Sequence, residues 1–481
     1  MTALWTLSDM AAAMRADQSG ALPDTVNGIS IDSRSLTPGD AFFALTDARD
    51  GHDFVDGALK AGAGVAVVAR ARRAMFAADA PLLLVDDVLD ALRDLARASR
   101  ARTDAKIIAV TGSVGKTGTK EALRLALSAE GETHASAASY NNHWGVPLSL
   151  ARCPADVKYA VFEIGMNHAG EITPLVALVR PHVAIVTTVE PVHLEYFGTV
   201  EKIADAKAEI FTGLTPGGAA VVNRDNHHYE RLVAAAKAAG VAPIVSFGEH
   251  AEAKARLIRC ALKPDSSCVH ADILGQDVTY KLGAPGRHLV MNSLAVLAAV
   301  QLSGADLALA ALALQQLRAP VGRGARMTLT VSGGSALLID ESYNANPASM
   351  AAAIALLGQA EIGAQGRRIA VLGDMLELGG EGETLHAAIA KAIETAGIDL
   401  VYCSGPLMHS LWQALPSSRR GGYAGTAAQL EPVVLSGIRA GDAVMIKGSF
   451  GSKMGPIVKA LERKYSGKAH DPSEPLQGQH S

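Results

Sequence analysis

Four cysteines in 481 residues, Cys153, Cys260, Cys268 and Cys403, are too few and too scattered for a disulfide framework, and none stand at zinc-ligand spacing. They read as reduced thiols of a cytoplasmic protein. Positive charge is not in excess: 44 Lys and Arg against 48 Asp and Glu leave a formal charge of −4, which argues against a nucleic-acid partner. No apolar run is long enough to span a membrane. The best candidate, Asn292 to Leu317, is broken by Ser303-Gly304-Ala305-Asp306 into pieces shorter than the ~20 residues required, and reads as two buried helices. No Lys or Arg precedes Arg15, and Ser8-Asp9 ahead of an Ala/Met run reads as a capped helix, not a secretion signal. No short internal repeat is visible. Apolar material, by contrast, is plentiful. With 49% hydrophobic and 19% charged residues the chain is globular with sizeable cores, and a domain size of roughly 150 residues suggests about three domains.

Three α/β stretches follow one another. From Gly28 to Arg100 the short apolar runs GISID, AFFAL, GVAVVA and PLLLV alternate with helix-like HDFVDGALKAGA and DVLDALRDLARASR, which makes residues 1–103 a small α/β domain. KIIAVTG opens a second domain over 104–319. There YAVFEI, HVAIVTTV and GAAVVN are separated by helix-length segments, as a mainly parallel sheet with crossovers requires. After the breaker Ala319-Pro320-Val321-Gly322 a third, Rossmann-like unit runs over 320–465: SALLID, a helix opened by Asn346-Pro347, RIAVLG, a helix from about Glu383, IDLVYCSG and AVMIKG. The polar, aperiodic stretch Ser466 to Ser481 reads as a disordered tail.

The densest chemical signal is the strand Ile107 to Val110 running into Thr111-Gly112-Ser113-Val114-Gly115-Lys116-Thr117 and a helix from Lys120 to Ala129. Glycines let backbone N–H groups close on phosphate oxygens, and the helix N-terminus adds positive potential. Lys116 reaches the outer phosphates and the Thr117 hydroxyl can ligate Mg²⁺. Val110 stands where the common form of such a loop has its first glycine, so an ordinary tight strand-to-helix turn is the alternative. Glu163 ends YAVFEI, where parallel sheets present ligand-contacting groups; it is either an oxygen donor for Mg²⁺ or a glutamate facing solvent from an edge strand. His193 lies beyond HVAIVTTV, where a structural loop histidine is the simpler reading of that residue alone. In the helix from Thr199 to Phe211, Val200, Ile203, Lys207 and Ile210 share a face, placing a lysine in an apolar stripe. Either its stem snorkels or its amine is desolvated and able to react as a free base, with CO₂ for example.

In the third unit Asp340 is followed by Glu341-Ser342-Tyr343-Asn344-Ala345-Asn346-Pro347. A cap at Asn346 and a first helical position at Pro347 explain those two, but not Asp340, Tyr343 and Asn344. Gly373-Asp374-Met375-Leu376-Glu377-Leu378-Gly379 and Lys447-Gly448-Ser449 add polar groups at the same end of the inferred sheet, which suggests a second binding crevice.

Together these motifs resemble the Mur ligase family of bacterial cell-wall synthesis over nearly the whole chain up to the tail. The likeness is greatest to the branch that joins D-alanyl-D-alanine to UDP-N-acetylmuramoyl-tripeptide. Asp32-Ser33-Arg34, Pro38-Gly39-Asp40, Phe42-Phe43-Ala44-Leu45 and Asp50-Gly51-His52-Asp53-Phe54 resemble its uridine-nucleotide domain, and TGSVGKT its short phosphate loop. ESYNANPASM and VLGDMLELG are similar to the dipeptide-adding branch, and the DNPR segment of the sister branch is absent. The chain departs from the family pattern at Gly118, Thr188, Leu289 and Phe450.

The resemblance implies an ADP-forming acid–amine ligase using ATP and Mg²⁺ through an acyl phosphate, with Lys116, Glu163, His193 and Lys207 catalytic. It implies ATP contacts from Gly112, Ser113, Gly115, Lys116, Thr117, Asn292, Arg323 and Asp340, with Arg326 an alternative to Arg323. Mg²⁺ would be held by Thr117, Glu163, His193 and a carbamylated Lys207. Substrate contacts would come from Ser33, Arg34, Phe43, Asp50, His52, Asn141, Asn142, Tyr343, Asn344 and Asn346. The expected partners are the two small-molecule substrates, with no nucleic acid and no membrane span, and the expected state is a cytoplasmic monomer. The rival readings are the sister ligase that adds a single amino acid, and a P-loop ATPase or phosphotransferase.

Overall fold

The computed structural model describes residues 3–47, 49–137, 139–192, 194–318 and 322–465; His193, the breaker at 319–321 and the tail at 466–481 lie outside the described residues. The chain divides into two compact units between Leu317 and Arg318.

In the first unit a five-stranded sheet occupies the N-terminal part. Ile29–Ser30, Ala41–Phe43, Val65–Ala69 and Leu82–Val85 run parallel and adjacent in that order, and Asp17–Ser19 adds an antiparallel edge. The strands are almost wholly buried because helices cover both faces, which is why they read as continuous apolar runs. Helix Val88–Ala101 begins where the Asp87 side chain accepts the Asp90 N–H at 2.8 Å, and it buries Val88, Ala91, Leu92 and Leu95. The first helix, Leu7–Met14, is capped by Thr6, whose hydroxyl accepts the Asp9 N–H. Ser8, the expected cap, is already one residue inside it.

The same unit continues into a nine-stranded sheet. Thr133–Ala135, Tyr159–Glu163, Lys106–Thr111, Val183–Val186, Ala219–Asn223 and Ile244–Gly248 are parallel neighbours in that order. Ala255–Leu262 extends the parallel run, and Ser267–Ile273 and Gln276–Leu282 close it as an antiparallel meander. Ile108 and Val110 pack into one core, Ile107 and Ala109 into the other, so the central strand is buried on both faces. The apolar stretch near residue 300 forms helices Arg287–Leu302 and Leu307–Ala313, the second capped by Asp306. Only the first is buried throughout its middle; Leu309 and Leu312 on the second are exposed, so that helix is amphipathic rather than buried as expected. Helix Gly145–Ala151 and its C-cap Arg152 tie the N-terminal part to the rest of this unit. Arg152 Nε donates to Ile29 O at 2.7 Å, and Ser99 Oγ to Leu150 O at 2.6 Å. Among the described residues no helix is long and apolar enough to cross a membrane.

The second unit is a six-stranded sheet in the order Ala325–Val331, Gly334–Glu341, Ala443–Lys447, Arg368–Gly373, Leu400–Ser404, Arg420–Ala424. The first pair is an antiparallel hairpin and the rest are parallel, with cores on both faces. Helix Pro347–Gly358 opens with a capping box between Asn346 and Ser349 and with Pro347 in its first turn.

Candidate active site

Strand Lys106–Thr111 delivers the chain into a loop that two glycines make possible. Gly112 has φ +148° and a Cβ there would overlap Thr187 Oγ1; Gly115 has φ +88° and its Cβ would lie 2.5 Å from Asn292 Nδ2. The loop is clamped to the segment after strand Val183–Val186. Ser113 N donates to Thr188 O at 2.9 Å, Ser113 Oγ to Glu190 O at 3.1 Å, and Thr187 Oγ1 to Val114 O at 2.6 Å. Lys116 Nζ donates to Gly112 O at 2.7 Å, across the loop. Helix Lys116–Ser128 starts at Gly115 with no side-chain cap, so first-turn N–H groups carry the helix's positive end without a competing side-chain acceptor. This is a cradle that fits phosphate oxygens. Asn292, from helix Arg287–Leu302, brings its amide to the rim of that loop.

Glu163 is 1% exposed at the end of a strand flanked by Lys106–Thr111 and Thr133–Ala135, so it does not face solvent from an edge. Its Oε2 accepts Thr117 Oγ1 at 2.9 Å and its Oε1 accepts Asn141 Nδ2 at 2.6 Å. A carboxylate and a hydroxyl side by side are hard oxygen donors of the kind Mg²⁺ takes when it also keeps waters and substrate phosphates. Among the described residues, which leave out His193, no group of three His, Cys, Asp or Glu is placed to hold a metal ion. Asn142 has local work: its Oδ1 accepts Gly145 N at the start of the next helix.

Lys207 lies in helix Val200–Ala208, capped by Thr199, with Ile203 and Ile210 fully buried around it. The lysine is 2% exposed, so its amine is not carried to the surface. Burial pushes the amine well below the ordinary lysine range, and the positive charge of Lys116 pushes the same way.

At the carboxyl edge of the N-terminal sheet, Ser33 and Arg34 follow strand Ile29–Ser30 and are half-buried and exposed. Phe43, expected to touch substrate, is fully buried in the core with Trp5, Val67 and Leu83, because all of Ala41–Phe43 is covered by neighbouring layers. His52 is also buried: Nδ1 lies 2.6 Å from Asp50 Oδ1, and Nε2 accepts the Ala69 N–H at 3.0 Å. Both ring nitrogens are therefore engaged. Asp50 is held down to about 2, first by its hydrogen bond to the His52 side chain and then by the His52 N–H.

In the second unit the carboxyl ends of Gly334–Glu341, Ala443–Lys447 and Arg368–Gly373 lie side by side. Asp340 is 3% exposed; Oδ2 accepts Gly322 N at 2.9 Å, and Oδ1 accepts Ser342 N at 3.0 Å and Ser342 Oγ at 2.7 Å. Arg323 lies over the Tyr343 ring at 4.6 Å, and that ring is 5.6 Å from Phe450. Arg326 instead sits within strand Ala325–Val331 with Nε and Nη2 buried. Asn344 Oδ1 accepts Ala345 N, and its carbonyl accepts Lys447 Nζ at 2.9 Å, the same buried amine that meets Glu341 Oε2 at 3.2 Å. The Asn346 carboxamide oxygen caps its helix at Ser349 N, at 2.9 Å, which is structural work rather than substrate contact.

Family models match three stretches: the Mur ligase family catalytic domain over residues 25–100, the Mur ligase middle domain over 110–300, and the Mur ligase glutamate ligase domain over 325–450. The UDP-N-acetylmuramoyl-tripeptide–D-alanyl-D-alanine ligase of Escherichia coli is 35% identical over 462 residues, covering 95% of this chain and 98% of that protein. The ligase of the same name from Rickettsia prowazekii is 31% identical over 455 residues, covering 95% and 99%. The crystal structure of MurF from Acinetobacter baumannii is similar with a TM-score of 0.81 at 29% identity, over 95% of this chain and 99% of that one.

Proposed function

The chain belongs to the Mur ligase family, and on that premise we propose that it joins D-alanyl-D-alanine to UDP-N-acetylmuramoyl-tripeptide, converting ATP to ADP and phosphate. The observation that carries this reading is the meeting of an uncapped phosphate loop, a buried carboxylate tied to that loop, and a buried amine whose charge is coupled to Lys116. A simple phosphotransferase has no use for the third.

Amide formation needs an activated carboxylate. The tripeptide's terminal carboxylate attacks the γ-phosphorus and ADP leaves; the amine of the dipeptide then attacks the acyl carbon, phosphate departs, and the amine proton is lost. Gly112, Ser113, Gly115 and Thr117 hold the phosphates, and Lys116 neutralises the charge that develops on them. Asn292 meets the base, and Arg323 and Asp340 reach the nucleotide. Thr117, Glu163, His193 and a carbamate on Lys207 would hold Mg²⁺, which would supply further neutralisation of phosphate charge. A desolvated lysine amine keeps the lone pair that adds to CO₂, releasing one proton and leaving an anionic group where a lysinium would repel a cation. Residues 1–103 take the uridine nucleotide, 104–319 the ATP, and 320–465 the dipeptide through Tyr343 and Asn344. The reaction runs in the cytoplasm with a monomeric enzyme.

The test is the mass of the product formed from ATP, Mg²⁺, UDP-N-acetylmuramoyl-tripeptide and D-alanyl-D-alanine. A gain of one dipeptide less water is expected. A gain of one amino acid residue when single amino acids are supplied would assign the chain to the sister branch, and ADP formed without any mass gain would make it an ATPase.

A further inference from the structure

We propose that Glu209 is a positioning residue for the Mg²⁺ site: its carboxylate bolts the helix that carries Lys207 to the loop that leaves Glu163, and so sets how far apart those two groups stand. This rests on the reading above that both hold the metal. The sequence does not single out Glu209, because a residue two places past Lys207 falls on the other side of the helix.

The bonds are specific. Glu209 closes helix Val200–Ala208 as its C-cap residue and is half-buried. Its Oε1 accepts the Gly170 N–H at 2.6 Å, and its Oε2 accepts the Thr173 N–H and the Thr173 hydroxyl, both at 3.0 Å. Gly170 and Thr173 stand at the entry to helix Ile172–Val179, the first element after strand Tyr159–Glu163. The turn Glu209–Gly213 lies flush on that helix, since a Cβ on Gly213 would be 2.6 Å from Val176 O. The loop is also braced from within. Glu171 Oε2 accepts the Asn167 N–H at 2.7 Å, and its Oε1 lies 3.1 Å from His168 Nδ1. The His168 ring packs 4.8 Å from that of Tyr196, in the short helix Leu194–Phe197 that follows His193 in sequence.

A helix cap alone does not explain this arrangement. Helices Leu7–Met14, Val88–Ala101, Val200–Ala208 and Leu307–Ala313 of the same unit are each capped by the side chain of the residue just before them. Ile172–Val179 has Glu171 in that place, yet Glu171 turns back into the loop, and the capping oxygens come from a residue 36 positions away. The end of helix Val200–Ala208 is itself a poor place for a carboxylate, because helix C-termini repel negative charge; the N-terminus that Glu209 reaches offsets this. What the carboxylate gains there is a tie between two segments, and they are the ones that carry Glu163 and Lys207. Groups behind metal ligands commonly fix them in this way.

The test is Mn²⁺ binding by the full chain in the presence of a non-hydrolysable ATP analogue, read by electron paramagnetic resonance with Mn²⁺ standing in for Mg²⁺. The expected result is that Glu209→Ala weakens Mn²⁺ binding about tenfold or more, and that Glu209→Gln, which keeps one acceptor oxygen, recovers only part of the loss. Asp306→Ala removes the cap of helix Leu307–Ala313 in the same unit; it lowers Tm and leaves Mn²⁺ binding unchanged. In turnover, KM for Mg²⁺ rises in Glu209→Ala while KM for the dipeptide stays the same. Mn²⁺ binding by both Glu209 variants as tight as by the parent, or weakened equally by Asp306→Ala, would reduce Glu209 to a helix cap and overturn the proposal, leaving the ligase reading standing. Should the alanine variant fail to fold, the glutamine variant decides by the same comparison. A parent that takes up no Mn²⁺ beyond that held by the analogue alone would overturn the metal reading on which the proposal rests.

Discussion

Replacing Lys207 with methionine should abolish the reaction and stabilise the protein. The side chain is 2% exposed between Ile203 and Ile210, and burial drives its amine toward the neutral form. The unfolded chain binds the lysine proton near its ordinary pKa of about 10.4, and the folded chain gives it up. Stability therefore rises with pH until that ordinary value is reached. The cost of folding around a neutral amine has a ceiling of about 5 kcal/mol at pH 7, shrinking to about 1 kcal/mol at pH 9.5. Methionine has a similar volume and no proton to lose, so it escapes this cost. At about 2–4 °C per kcal/mol for a unit of this size, the variant's Tm should exceed the parent's by on the order of 10 °C at pH 7 and by about 3 °C at pH 9.5. The assay is differential scanning calorimetry of both proteins in CO₂-free, Mg²⁺-free buffer across that pH range, with ligase turnover measured in parallel. A Tm difference that does not change with pH would refute a neutral folded-state amine. Turnover retained by the variant would refute the metal-holding carbamate.

Glu163→Gln, which keeps the size but not the charge between Thr117 and Asn141, should lower kcat at least about 100-fold with unchanged UDP binding, read by steady-state kinetics and titration. Gly112→Ala places a methyl group on Thr187 Oγ1 at a positive φ and should weaken ATP-analogue binding about tenfold or more while the N-terminal uridine site is untouched. Asn346→Ala should cost about 1 kcal/mol in denaturant stability through loss of a helix cap, with KM for the dipeptide unchanged; a raised KM at full stability would restore it as a substrate contact.

The phosphate loop is legible in sequence because all its determinants are local: an apolar strand, two glycines, a lysine and a helix in one run. Lys207 is legible for a similar reason, since its spacing from Ile203 and Ile210 is a helical one. Faces of a buried strand are another matter. AFFAL is apolar throughout, so nothing in it tells that Phe43 points into the core. The antiparallel meander past residue 255 escapes notice because the turn between its last two strands is built on Leu274 at φ +48° with Gly275, where a reader looks for Asn-Gly. The edge strand Arg420–Ala424 is glycine-containing with no fully buried residue, and carries no apolar signal of its own. The cap at Thr6 rather than Ser8 reflects a helix that starts two residues early, with Leu7 buried as its first residue.

The central claim is that this phosphate loop transfers the γ-phosphoryl group to a carboxylate so that an amine can displace it. The most direct test supplies tripeptide nucleotide with ¹⁸O in both oxygens of its terminal carboxylate, together with ATP, Mg²⁺ and D-alanyl-D-alanine, and weighs the released phosphate. The account predicts one ¹⁸O in each phosphate and one left in the new amide. Unlabelled phosphate, with both heavy oxygens still on the peptide, would mean that water and not the carboxylate attacks ATP, and would contradict it.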